Sequence, residues 1–440
     1  MRLPYTPVEF TKNGDPADRA QFDAALKMIG TGTDVIMMAP GWNNDMPSAE
    51  RMFARLTDAI DILMAGRPAT GRTLTVVGLQ WPSKRWGSDP EDTAGHGAGL
   101  GDDVTDLIGR IAMTVEDPAA RSALEQLVPR LETDGDAQAE FLDILRGLLP
   151  PPEAVADDDS LPGTLRDGSV PEVLDAVEQA RLTVGSRIGM TPVPPVPAGS
   201  LPPGFVPDPL AGATAAAGLG FHLGKLNPLQ AMKQVLNTTT FYSMKERAGN
   251  VGARGVTALL DAVDAGQPAV RVHLAGHSFG ARLVSAAAAT TDTPISSMSL
   301  LQGAYSHRGL AARDAALKMP DGAFRRALTG GHLRGPVVVT HTHNDKAVGL
   351  AYALASRLAH QVAADVGDAG DPYGGIGANG AVGTTEAVEG ELGDQNTTYA
   401  FQPGRVHNLR GDRFMSGHGD ITNPAVANAV LAAIATVPAQ

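Results

Sequence analysis

Continuous apolar runs alternate with amphipathic stretches along both ends of this chain. The first run, Asp34 to Ala39, is continuously apolar after Asp34, the pattern of a parallel strand buried on both faces. Thr73 to Leu79, Val270 to Ala275, Ile295 to Leu301, Pro336 to Thr340 and Arg405 to Leu409 read as further strands. Between them the apolar spacing shifts to three and four. Met52, Phe53, Leu56, Ile60 and Leu63 share one side of a helix that starts at Ser48 and is stopped by Gly66 and Pro68. Val256, Leu259, Leu260 and Val263 predict a helix over Gly255 to Ala265, and the Ala-rich runs Ala281 to Ala289, Ala347 to Ala364 and Ala425 to Ala435 predict three more. Strand, helix, strand with short links implies a mostly parallel, doubly wound α/β sheet.

The alternation stops between about residues 96 and 240. Helical stretches are expected at Val104 to Ile111, Ala119 to Leu131 and Ala137 to Leu149, and no strand is expected. Pro192 to Pro197 reads as stiff extended chain, and Ala211 to Gly224 is apolar and Ala/Gly-rich. Asn227 and Pro228 then cap a helix carrying Leu229, Met232 and Leu236. The chain thus divides into a core segment over 1–95, a large, mainly helical and irregular cap insertion over 96–240, and a second core segment over 241–440. Gly367 to Gly393 is expected to be loop. Within it, Gly375 to Gly380 matches G-x-G-x-x-G but neither follows a strand nor opens a helix, so a dinucleotide site is not expected.

Composition narrows the chemistry. With 440 residues, 43% hydrophobic and 19% charged, the chain can bury one large core or several smaller ones. A net charge of -13 argues against nucleic acid or an anionic membrane surface as partner. There are no cysteines, so thiolate catalysis, disulfides and cysteine-bound metals are excluded. Met1 to Tyr5 shows no signal peptide, and no run reaches the roughly 18 apolar residues of a membrane span. A cytoplasmic location is the expectation.

One pentapeptide carries specific chemistry. Gly276-His277-Ser278-Phe279-Gly280 follows a strand and opens a helix, the G-x-S-x-G nucleophile elbow. A serine hydroxyl needs a histidine to take its proton and a carboxylate to hold that histidine in one tautomer. Asp345 comes shortly after the strand Pro336 to Thr340, and His418 lies between the last strand and the last helix. The order Ser278, Asp345, His418, with the nucleophile on an elbow, resembles that of the α/β-hydrolases, of the serine esterase or lipase type. The resemblance covers roughly 30–95 and 240–440 and leaves the insertion unmatched. It implies Ser278 as nucleophile, His418 as general base and acid, and Asp345 as the orienting carboxylate, with Met415 to Ile421 as the histidine loop. Asp45, Asp412 and Asp420 are rival carboxylates. The family's first oxyanion donor sits in a loop after an early strand where His-Gly is common; here that loop reads Pro40-Gly41-Trp42. Trp42 N–H, paired with Phe279 N–H, is the expected oxyanion hole. The implied substrate is a small-molecule or lipid-like ester, with no cofactor.

Other residues bear on the pocket or on competing readings. Gly41, Trp81, His277 and Tyr305 are candidate pocket residues, and Trp86 lies near the same strand end. His341, His343 and Asp345 have period two at a strand end, which opens the alternative of a metal-dependent hydrolase. An amidase or peptidase with the same triad, and a non-catalytic binding protein on a hydrolase fold, are the remaining alternatives. His407 lies within a predicted strand and is a poorer base than His418.

Overall fold

The computed structural model describes residues 2–42, 46–67, 71–83, 103–151, 163–188, 227–315, 319–345, 348 and 374–437. Asp45, Trp86, Pro192 to Pro197, Ala211 to Gly224 and nearly all of the expected helix Ala347 to Ala364 lie outside them. Eight strands form one sheet: β1 (Tyr5–Glu9), β2 (Asp34–Ala39), β3 (Leu74–Gln80), β4 (Arg271–His277), β5 (Ser297–Leu301), β6 (Val337–His341), β7 (Ala387–Glu391) and β8 (Val406–Arg410). Their order is β1-β3-β2-β4-β5-β6-β8-β7, and every pairing is parallel. The six strands read from apolar runs are all present. β2, β3 and β4 are buried at every position, as continuous rather than alternating apolar runs require.

Two strands escape the apolar pattern. β1 (Tyr-Thr-Pro-Val-Glu) holds a proline, tolerated because β1 is an edge. β7 (Ala-Val-Glu-Gly-Glu) is the opposite edge and is largely exposed. It lies within the stretch expected to be loop, which the structure corrects.

Helices cover both faces. α1 (Arg19–Ile29) is capped by Asp18, whose side chain accepts from Ala20 N–H. α2 (Met46–Ala65) buries Phe53, Leu56 and Ile60. The insertion contributes α3 (Asp103–Thr114), α4 (Pro118–Leu127), α5 (Gly135–Gly147), α6 (Gly163–Asp167) and α7 (Val170–Ile188), and no strand among its described residues. α8 (Pro228–Asn250) continues through a π-helical turn, Val251–Val256, into α9 (Thr257–Gly266). The core helices α10 (Phe279–Thr290), α11 (Arg326–Thr329), α12 (Ile376–Asn379) and α13 (Pro424–Thr436) complete the set. α12 is a short helical turn inside the G-x-G-x-x-G segment, where only loop was expected.

Three large apolar clusters lie among the described residues. On one face of the sheet, Phe22, Met37, Leu79, Leu259, Leu274 and Leu283 join α1, α9 and α10. On the other, Ile36, Phe53, Ile60, Val76, Val426 and Ile434 join α2 and α13. The third lies within the insertion, where Leu107, Leu124, Phe141, Leu145 and Val177 pack with Leu229, Met232 and Leu236. α8 belongs to two clusters. Its first half serves the insertion, while Met244 and Ala248 pack into the core. The boundary expected near residue 240 therefore falls inside a continuous helix. The π turn brings Gly252 so close to α10 that a Cβ there would lie 2.1 Å from Leu283 O. The π turn thus seats this helix backbone to backbone on α10.

The topology singles out one crevice. β2 has β3 on one side and β4 on the other. The chain leaving β2 enters α2 on one face, whereas the chain leaving β4 enters α10 on the opposite face. The two connections diverge, leaving a gap at the carboxyl ends of β2 and β4. Open parallel sheets bind ligands at such a switch point.

Candidate active site

Ser278 stands at that crevice. It has φ 57° and ψ -123°, a backbone state that costs an L-residue about 1–3 kcal/mol. Packing enforces the turn. A Cβ on Gly276 would lie 2.3 Å from Gly280 O, and one on Gly280 would lie 2.2 Å from Ala39 O. Both glycines are therefore needed for β4 to turn straight into α10. Ser278 N–H donates to Leu301 O (3.2 Å), and Ser278 O accepts from Ala281 N–H and Ala304 N–H (both 3.0 Å). These bonds lock the strained residue between β5 and α10.

The loop after β2 presses on the elbow. A Cβ on Gly41 would lie 2.8 Å from Ser278 Cβ and 3.1 Å from His277 Nδ1, so this backbone touches Ser278 because residue 41 has no side chain. Phe279 is the first residue of α10, where N–H groups have no intrahelical acceptor. The Trp42 ring packs on Phe279 (centroids 6.1 Å) and on Phe241 of α8 (6.5 Å), and Phe241 packs on Phe279 (5.1 Å). An aromatic cluster thus ties the insertion's helix to both loops beside Ser278.

Asp345 and His418 come together at the ends of β6 and β8. His418 Nδ1 donates to Asp345 Oδ2 at 2.7 Å, and the Asp345 side chain is fully buried. Asp345 Oδ1 also accepts from Val348 N–H (3.0 Å). With its proton on Nδ1, His418 presents the Nε2 lone pair. The turn carrying Asp345 is held by Asp412. Its Oδ1 accepts from Thr342 Oγ1 and from His343 N–H (both 2.9 Å), and its Oδ2 pairs with His343 Nδ1 (3.0 Å). Burial works to raise the Asp412 pKa, but the hydrogen bonds from His343 and Thr342 outweigh it and lower it. Asp412 is thus a brace, and Asp420 is engaged by Ser416 N–H and Oγ–H (3.0 and 3.1 Å). Of the rival carboxylates among the described residues, neither reaches His418.

The histidine loop is fastened to the elbow. His277 Nε2 donates to His418 O (2.9 Å), and the two rings lie 4.8 Å apart. Gln302 Nε2 donates to Gly417 O (2.6 Å). Among the described residues, no hydrogen bond joins the Ser278 hydroxyl to His418. Burial, followed by the neighbouring His418, pushes the His277 pKa down to about 3. His277 is a neutral donor, not a base.

Two candidate pocket residues have other roles. Trp81 is buried and its Nε1–H donates to Pro40 O (2.9 Å), supporting the loop after β2 from below. Tyr305 is fully buried, its hydroxyl bonded to Ser285 Oγ (3.0 Å) and its ring edge-on to Phe324. Its ring packs between α10 and Phe324. Both are aromatic residues near strand ends whose rings turn inward, which sequence position alone does not reveal.

His341, His343 and Asp345 do not converge. His343 is paired with Asp412 and Asp345 with His418, while the His341 ring is buried beside Ala378 with neither nitrogen in a well-formed hydrogen bond. Among the described residues, no group of three or more His, Asp or Glu side chains is placed to hold one metal ion. His407 is occupied within β8, its Nε2 accepting from Gln402 N–H (3.0 Å). The G-x-G-x-x-G segment closes the gap above β5 and β6: Gly377 N–H donates to Gly303 O and Gly377 O accepts from Thr342 N–H (both 2.9 Å). No described helix is long and apolar enough to cross a membrane. Comparison with known proteins gives no match to a family model, a curated protein or a solved structure.

Proposed function

We propose that the chain is a serine hydrolase of the α/β-hydrolase type that cleaves carboxylic esters through an acyl-enzyme. The observation that carries this reading is the 2.7 Å Asp345–His418 pair, held against a strained serine elbow at the sheet's switch point. Ser278 Oγ attacks the ester carbonyl while His418 Nε2 takes its proton. The carbonyl oxygen gains the negative charge and is met by the N–H groups of Phe279 and Trp42. Collapse breaks the bond to the alcohol, which leaves with the proton from His418. Water then attacks the acyl-Ser278, gives its proton to His418, and the acid departs as Ser278 recovers its proton.

The aromatic cluster of Trp42, Phe241 and Phe279 supports an apolar acyl or alcohol group beside the serine. The helical insertion would act as a cap, with α8 as its strut. No residue of the mechanism needs a cofactor. The test is Ser278→Ala assayed on p-nitrophenyl esters of increasing chain length. Turnover should fall at least ~10^4-fold with the melting temperature nearly unchanged. Wild-type turnover in that variant rules the reading out.

A further inference from the structure

We infer that His277 and Gln302 are positioning residues for His418, a two-point clamp on the backbone that carries the base. The inference rests on the reading of His418 as the base that serves Ser278. The two side chains come from the ends of neighbouring strands, β4 and β5, and each gives one N–H to one of two consecutive carbonyls. His277 takes His418 O at 2.9 Å, and Gln302 takes Gly417 O at 2.6 Å.

The clamp is maintained against opposing costs. Among the described residues only Ser278 and Gln302 are non-glycine residues with positive φ, Gln302 at 45°. Such strain persists only where its surroundings over-determine it, and it concentrates at working sites. Gln302 is fully buried with Oε1 unpartnered, and His277 is 8% exposed with Nδ1 unpartnered. Each side chain therefore satisfies one end on the histidine loop and leaves the other end unmet, a cost that folding alone would select against.

The geometry explains what is gained. Asp345 fixes the tautomer and tilt of the His418 ring through its side chain. Nothing in that bond sets the height of the His418 backbone above the elbow. His277 does so directly, because it precedes the nucleophile by a single peptide bond. The ring of His277 also stays neutral, so the imidazolium that forms on His418, 4.8 Å away, meets no like charge. Displacing a catalytic group by about 1 Å can cost on the order of a hundredfold in rate.

The test is the rate of fluorophosphonate labelling of Ser278 in the full chain, measured across pH. It compares wild type, His277→Leu, His277→Gln and Gln302→Met, with circular dichroism and melting as folding controls. His277→Leu and Gln302→Met should label roughly 10- to 100-fold more slowly and with a displaced pH midpoint. His277→Gln keeps an N–H at the same reach and should recover most of the rate and the original midpoint. If His277→Leu does not fold, Gln302→Met and the His277→Gln comparison carry the test. Folded variants that label at the wild-type rate and midpoint overturn the clamp alone. A wild-type chain that does not label at Ser278 overturns the hydrolase reading and the clamp with it.

Discussion

The two ends of the sheet handle buried polar groups in opposite ways. At the amino ends of the strands, Asp34 is fully buried and accepts from Arg271 (2.8 and 2.6 Å), Arg72 (2.6 Å), His273 (3.0 Å) and Thr33 (2.6 Å). His273 turns its other nitrogen to Ser297 Oγ (2.8 Å), and Arg72 reaches on to Val437 O beyond α13. Burial alone would raise the Asp34 pKa, but the hydrogen bonds from Arg271, His273 and Thr33 hold it well below the usual carboxylate range. This network ties β2, β4 and β5 to the approaches of β3 and to the end of the last helix. At the carboxyl ends, His277 Nδ1, Gln302 Oε1 and both nitrogens of His341 are buried without a well-formed partner, and two residues are strained. Around Asp34 both carboxylate oxygens are met by donors, and the network holds the strands together. Around His277 and Gln302 the side chains instead leave bonds unmet and the backbone is strained.

That contrast yields expectations in descending size. Asp345→Asn should lower ester turnover about 10^4-fold through loss of the correct His418 tautomer, with melting nearly unchanged, as steady-state kinetics and calorimetry would show. Asp34→Asn should do the reverse. It leaves two buried guanidinium groups uncompensated and should cost about 3–5 kcal/mol in denaturant unfolding, with kcat of the folded protein within about twofold of wild type. A large kcat loss there would erase the distinction between the ends.

Acid should separate the ends more finely. Burial lowers the His277 pKa to about 3 and also lowers that of His273. Between about pH 6.5 and 3 the unfolded chain binds a proton at His277 that the folded chain does not, and His273 adds to this in the same direction. Stability is therefore full above about pH 6.5 and falls as pH drops, by ~1.4 kcal/mol per pH unit for each proton withheld. Asp34, with a depressed pKa, adds its loss only below about pH 4. His277→Gln should flatten the upper part of the melting-temperature curve, and Asp34→Asn the lower part.

Much of this was legible in the chain, for identifiable reasons. Strands buried on both faces are apolar over most of their length, so Val35 to Ala39 and its counterparts announce themselves. The elbow is legible because its glycines answer to hard backbone contacts. Asp345 is legible as the carboxylate just after β6. Edge strands face water and carry no such signal, so β1 and β7 pass unseen. α1 and α7 are amphipathic but sit outside the expected alternation. The clamp is invisible in one dimension, because Gln302 and Gly417 are 115 residues apart and His277 and His418 are 141 apart. Trp81 and Tyr305 show the limit of strand-end position, which does not reveal that both rings are buried.

The most direct measurement is fluorophosphonate labelling of the intact chain followed by peptide mapping. The account predicts a single modified residue, Ser278, with labelling abolished in Ser278→Ala and strongly slowed in His418→Ala. Label on another residue, or ester hydrolysis that proceeds with Ser278 unlabelled, would contradict it.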